Sequence, residues 1–259
     1  MYGITRRVTI GALLLLIMPL GVWLSGWQWH PHLTGGWLRV LFWITETVTS
    51  PWGVVTSIVL SLWFLWCLRF SLKPTLGVFA ILIVTIGIGQ GVKSAIKSWV
   101  QEPRPFVEWL EKSHQVDEAY FYSLPRSERS ALVKSQLHDD HQLPQWLRHH
   151  WQAETGFAFP SGHTMFAASW ALLAVGLLWA RRHYVTVTIV MAWAVAVMGS
   201  RLALGMHWPQ DLMMATAISW LLVLVATRLA SRWCGPLTAA ETEAEQEKQT
   251  VTLSHEGDA

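Results

Sequence analysis

Six polar residues have the types and spacing to do chemistry together: Lys97, Arg104, His163, Arg201, His207 and Asp211. His163 belongs to the stretch Pro160-Ser161-Gly162-His163, which opens an apolar run over 164–179. A helix starting there presents free N–H groups and the positive end of its dipole, and both suit an anion. Gly162 lets a ligand come close to the backbone, and His163 can give or take a proton near neutral pH. His207 and Asp211 lie four residues apart, with Pro209 between them suiting the first turn of a helix. Asp211 can then accept a hydrogen bond from one nitrogen of His207, fix its tautomer and leave the other nitrogen free to attack. Lys97, Arg104 and Arg201 supply positive charge for non-bridging oxygens, and the N–H groups of Ser161 and Gly162 complete a cradle. Three cations, two imidazoles and one carboxylate are the parts of a site for a phosphate group.

Each of these residues also has a plainer reading. Lys97 at a helix end can extend its stem toward headgroups. Arg104 precedes a proline, which puts it on an extended turn where an arginine is usually solvated. His207 and Asp211 can form a structural cap, with Asp211 favoured by the helix dipole. Arg201 resists such a reading, because it closes an apolar run where an unpaired charge is expensive. His163, His207 and Asp211 are possible zinc ligands in type, yet their spacing matches no standard set. Three fixed cations can do the charge neutralisation otherwise left to magnesium. The sequence therefore implies no metal and no cofactor. The plain readings weaken together once the six residues fall at one membrane surface.

The elements that bring them there are membrane helices. The chain of 259 residues is 52% hydrophobic and only 14% charged, against roughly a quarter charged in an average soluble domain. Apolar runs over 8–27, 52–68, 74–92 (continuing toward Lys97), 161–180, 184–203 and 209–230 predict six transmembrane helices in an all-α membrane protein. Many of the 18 tryptophans stand near the ends of these runs, as in interfacial belts. The first run follows Arg6 and Arg7 but is too long for a signal peptide and has no cleavage motif after it. Residues 30–51 read as a loop, with 37–43 lying along the interface. Gly87 and Gly91 suit a close helix contact. Residues 98–160 are charged, proline-containing and without a spanning run, which predicts a polar insert of short helices and loops. The acidic tail over 235–259 is expected to be disordered.

The organisation is thus three spans over 1–97, an insert over 98–160, three spans over 161–234 and a tail. Six spans put both termini on one side. Arg6, Arg7, Arg69, Lys73, Arg181, Arg182, Arg228 and Arg232 collect on that side, whereas the short loop opposite has only Arg39. By the positive-inside rule the termini are cytoplasmic and the insert is extracytoplasmic. All six site residues then sit at the outer ends of the spans. Cys67 and Cys234 lie near the cytoplasmic face, where reduced thiols are the default. A net charge of +2 with no basic stripe gives no sign of nucleic acid as a partner.

Lys97-x6-Arg104-Pro105, Pro160-Ser161-Gly162-His163 and Ser200-Arg201-x5-His207-x3-Asp211 resemble the three-part signature of the type-2 phosphatidic acid phosphatase family, the lipid phosphate phosphatases. All three parts match, in order, and the resemblance extends over the whole chain. It implies a phosphohistidine on His207 and His163 as general acid and base. It also implies that Lys97, Arg104, Ser161, Gly162 and Arg201 hold the phosphate. The overall pattern is similar to bacterial members, which implies an inner-membrane enzyme facing the periplasm. Its substrates would be phosphatidylglycerophosphate, undecaprenyl pyrophosphate, phosphatidate and related lipids drawn from the bilayer. A phosphotransferase shares the first chemical step. A lipid transporter would place its cations nearer the midplane, and haloperoxidases with a similar signature lack spans. Oligomeric state is not written in the sequence.

Overall fold

The computed structural model describes residues 2–31 and 35–234, so the expected tail over 235–259 lies outside the described residues. Every regular element among them is a helix. α1 (Tyr2–Leu24), α4 (Leu72–Val100), α9 (Gly162–Leu178), α10 (Tyr184–Ala203) and α11 (Pro209–Trp233) lie in segments long and apolar enough to cross a membrane. α3 (Trp52–Leu68) is apolar but shorter. Between them stand α2 (Gly36–Glu46), α5 (Pro105–His114), α6 (Glu118–Ser123), α7 (Arg126–Gln136) and α8 (Gln145–Ala153).

α9 is the axis of the bundle. Every residue from Thr164 to Leu178 is buried, because α1, α3, α4, α10 and α11 all pack against it. A helix apolar all round is stable only when enclosed, and Ala167, Ala168, Ala171 and Ala174 let the neighbours come close. Ser169 Oγ meets Ser219 Oγ at 3.0 Å, and Ser219 reaches the Met165 carbonyl, so these two buried hydroxyls satisfy each other across α9 and α11. The outward faces of α1, α3 and α4 instead expose Leu13, Ile17, Val54, Ile58, Leu62, Leu76 and Val84. A band of exposed aliphatics of that size fits lipid, not water.

Helix boundaries differ from the apolar runs in ways that caps explain. α4 begins at Leu72, ahead of Pro74, because proline is tolerated in a first turn where its N–H would have no partner. It runs on to Val100 and stops with Gln101 in the left-handed region. α9 ends in a 3₁₀ turn, Trp179–Arg181. There Arg181 donates to the Leu68 carbonyl and lies over the Phe70 ring, and His183 Nε2 meets the Cys67 carbonyl at 3.0 Å. The basic turns after α3 and α9 therefore meet at one end of the bundle.

The segment between α4 and α9 builds a second core at the other end. Phe106, Val107, Leu110, Phe121, Val133, Leu137, Leu147 and Trp151 are buried together with Leu38, Leu204 and Met206. α2, read as an interfacial stretch, packs on α10 and lends Leu38 to this core while exposing Trp37, Val40 and Trp43. The short turn between α10 and α11 is locked from this side. Trp151 Nε1 donates to the Leu204 carbonyl at 2.9 Å, and the Phe106 N–H donates to the Gly205 carbonyl at 3.0 Å. Gly205 is left-handed at φ +69°, and a Cβ there would collide with the Trp29 ring. Only glycine fits that turn, which carries His207.

Candidate active site

Three helix starts and four helix ends converge where the two cores meet. Trp208 precedes Pro209, the first residue of α11, and its N–H donates to Asp211 Oδ2 at 2.9 Å. The same oxygen receives His207 Nδ1–H, also at 2.9 Å. Asp211 is therefore both the cap of α11 and the partner of His207, and the two readings of that pair are compatible. With Nδ1 carrying the proton, Nε2 holds a free lone pair. His207 lies in the turn before α11 and is 3% exposed. Burial, then Arg104, Lys97 and Arg201, holds its pKa well below the ordinary value, so the imidazole is neutral.

Among three of the candidate residues stands a carboxylate from α8's C-terminal cap, Glu154. Arg104 Nη1 lies 3.0 Å from Glu154 Oε2, Arg201 Nη2 donates to the same oxygen at 3.3 Å, and His163 Nε2 lies 3.4 Å from Oε1. Burial alone would raise the pKa of Glu154. Arg201, His163, Arg104 and His150 outweigh it and hold the carboxyl well below its usual range. A planar anion of two oxygens is thus gripped by two guanidiniums and an imidazole, as a phosphate would be.

Each cation is fixed from behind. Arg201 is fully buried at the end of α10, and its Nη1 donates to Thr45 Oγ1 at 2.8 Å and to His150 Nε2 at 3.2 Å. Because arginine only donates, His150 must present a bare Nε2 and carry its proton on Nδ1, which faces Glu46 Oε1 at 3.5 Å. Burial lowers the His150 pKa in agreement with that neutral tautomer. Arg201 Nε has no partner among the described residues, which leaves one donor for a ligand. Arg104 is extended at φ −83°, ψ 152°, as a residue before proline must be, and its Nε donates to the Gly156 carbonyl at 2.6 Å. Its N–H donates to the Tyr122 hydroxyl.

Lys97 is not a free surface cation. Its ammonium donates to the carbonyls of Phe157 and Ala158, tethering the extended strap that leads into α9. Its charge still acts on His207 and Asp211. Ser161 is committed locally: its Oγ accepts from Thr164 N–H at 3.3 Å as the cap of α9, and its own N–H donates to the Asp211 carbonyl at 3.3 Å. That second bond ties the start of α9 to the start of α11. The first-turn N–H groups of Gly162 and His163 are then the ones left to face an anion. Gly162 is needed for contact rather than for dihedral freedom, since a Cβ would strike the Lys93 stem at 2.6 Å.

Sequence reasoning missed Glu154, His150, Thr45, Glu46, Thr49 and the packing role of Lys93. Thr49 Oγ1 stands 3.1 Å from His163 Nε2 and 3.3 Å from Glu46 Oε1. One signal was present: Thr45, Glu46 and Thr49 cluster at the polar end of an otherwise apolar helix. Glu154 and His150 stand in no motif and could be found only in space. No group of three or more His, Cys, Asp or Glu with metal-holding geometry occurs among the described residues.

The PAP2 superfamily model matches residues 78–233, from α4 to the end of α11. The chain belongs to the PAP2 superfamily. It is 62% identical over 243 residues to phosphatidylglycerophosphatase B of Escherichia coli K12, covering 94% of this chain and 96% of that protein. The Shigella flexneri protein of the same name matches to the same extent. Phosphatidylglycerophosphatase B of Haemophilus influenzae is 37% identical over 227 residues, 84% of this chain and 92% of its own. As a PAP2 member with such relatives, the chain is a lipid phosphatase, and the converged cluster is its candidate active site.

Proposed function

We propose that this enzyme removes the terminal phosphate from phosphatidylglycerophosphate, undecaprenyl pyrophosphate and related lipid phosphates. The work is done at the periplasmic face of a bacterial inner membrane, through a phosphohistidine on His207. The observation that carries this reading is the pairing of His207 Nδ1 with Asp211 beside a carboxylate held by Arg104, Arg201 and His163.

The substrate phosphate takes the seat that Glu154 fills, with Arg104 and Arg201 on its non-bridging oxygens. His207 Nε2 attacks phosphorus, the bond from phosphorus to the lipid oxygen breaks, and His163 Nε2 gives that oxygen its proton. Water then attacks the phosphohistidine while His163 takes back a proton, and inorganic phosphate leaves as the P–N bond breaks. Lys97 acts by holding the 157–158 strap and by adding positive charge near the nucleophile. The fixed cations stabilise the extra charge of the transferring phosphoryl group without having to reorganise.

Purified protein given each lipid phosphate, with chelator present and no acceptor alcohol, should release inorganic phosphate. His207→Ala should abolish release while the protein elutes and melts like the native enzyme. Phosphate release by His207→Ala would overturn the nucleophile assignment, and loss of substrate with no free phosphate would point to a phosphotransferase.

A further inference from the structure

Glu102 has no part in the chemistry above, yet its carboxyl group reaches the residue that steadies the proposed nucleophile. It stands in the turn between α4 and α5, two residues before Arg104. Its backbone carbonyl accepts from Ala158 N–H at 2.7 Å, and its Oε1 accepts from the Gln210 side-chain amide at 3.2 Å. Its other oxygen, Oε2, is buried and has no hydrogen-bond donor among the described residues. Oδ1 of Asp211 is in the same condition. The two side chains stand close enough for one carboxyl group to hydrogen-bond the other once one of them carries a proton. Two ionised carboxylates cannot sustain that contact, because every oxygen would be an acceptor and the charges would repel. A single proton between them makes one O–H···O⁻ bond, satisfies both orphaned oxygens and leaves one negative charge on the pair.

We propose that Glu102 is a positioning residue of this phosphatase: it shares one proton with Asp211, clamping the Oδ1 edge so that Oδ2 stays on His207 Nδ1. The inference rests on the reading of His207 as nucleophile. Asp211 then takes three donors, His207 Nδ1–H and Trp208 N–H on Oδ2 and the shared proton on Oδ1. The groups facing the pair are Lys97 from α4 and His207 from the approach to α11, and Arg104, from the same turn as Glu102, acts on His207. As pH rises, the pair gives up its shared proton, the carboxylates push apart, and Asp211 loses its hold. Lys97 is common to native and variant enzyme, so the difference between their profiles isolates the pair.

Glu102→Gln keeps a donor toward Asp211 but has no proton to lose, whereas Glu102→Ala removes the clamp. Glu102→Ala should lower kcat for phosphate release about tenfold or more with KM unchanged, as for loss of a group that orients a reacting side chain. Glu102→Gln should restore kcat to within about threefold of native and hold it to higher pH. A native-minus-Glu102→Gln infrared difference spectrum should show a protonated-carboxyl C=O band. Native kcat and alkaline limb in Glu102→Ala would overturn the inference, as would an unshifted limb together with no carboxyl band in Glu102→Gln. Should Glu102→Ala fail to fold, the Glu102→Gln profile and spectrum decide alone. If His207→Ala stays active, the nucleophile reading fails while the band still reports the pair. If His207→Ala is inactive and the band is absent, only the role of Glu102 fails.

Discussion

In the proposed mechanism Glu154 occupies the place of the substrate phosphate, so the resting site is already charge-balanced. The two guanidiniums close together would repel strongly without an anion between them. Replacing Glu154 by Gln should therefore lower the melting temperature of the detergent-solubilised enzyme. It should also tighten inhibition by inorganic phosphate and lower KM, since no internal anion competes; a raised KM would show that Glu154 helps bind substrate instead. Arg201 shares that carboxylate and is buried completely. Arg201→Ala should cost on the order of 3 kcal/mol of transition-state stabilisation, about a hundredfold in kcat/KM. The pH profile follows from His207, the proposed nucleophile. Its pKa is depressed, so the reactive neutral form is lost only as pH falls through that lowered value. The acid limb of kcat/KM assigned to His207 should lie below the ordinary histidine value of about 6.5. A limb above it would show that the imidazolium is stabilised in the free enzyme.

At the scale of elements, the turn between α10 and α11 is positioned less by its own helices than by α5 and α8. Phe106 stacks on Trp151 with centroids 5.2 Å apart, and both bond to that turn through Gly205 and Leu204. Trp151→Ala should destabilise the protein by about 3–5 kcal/mol. It should lower kcat as well, because His207 rides on the turn; a stability loss with native kcat would uncouple the two. The apolar runs marked the helices that enclose α9, since a run of twenty apolar residues has few other fates. The role of α2 was hidden. Its outward face carries Trp37 and Trp43 and reads as interfacial, while the face that matters holds Thr45 and Glu46, whose partners lie more than a hundred residues away.

For the whole molecule, the site lies at the end of the bundle opposite the basic turns at Arg69 and Arg181. Six spans with both termini in the cytoplasm would put that site outside. Cys67 and Cys234 are buried, so single introduced cysteines report orientation cleanly. His138→Cys, on the exposed end of the 98–160 segment, should react with a membrane-impermeant maleimide in intact cells, and Arg69→Cys only after lysis. The reverse pattern would invert the topology.

Composition and spacing by themselves determined that the chain is helical and built on apolar runs of membrane-spanning length, and they nominated a set of residues suited to phosphate. Apolar length and the chemistry of Lys, Arg, His and Asp are local properties, readable without a fold. Only the tertiary structure decided that Glu154 sits among Arg104, Arg201 and His163, that Lys97 and Ser161 are spent on holding the backbone, and that Glu102 faces Asp211. Those are facts of distance between helices, and a charge leaves no trace in the sequence of which other charge it will meet once water is excluded.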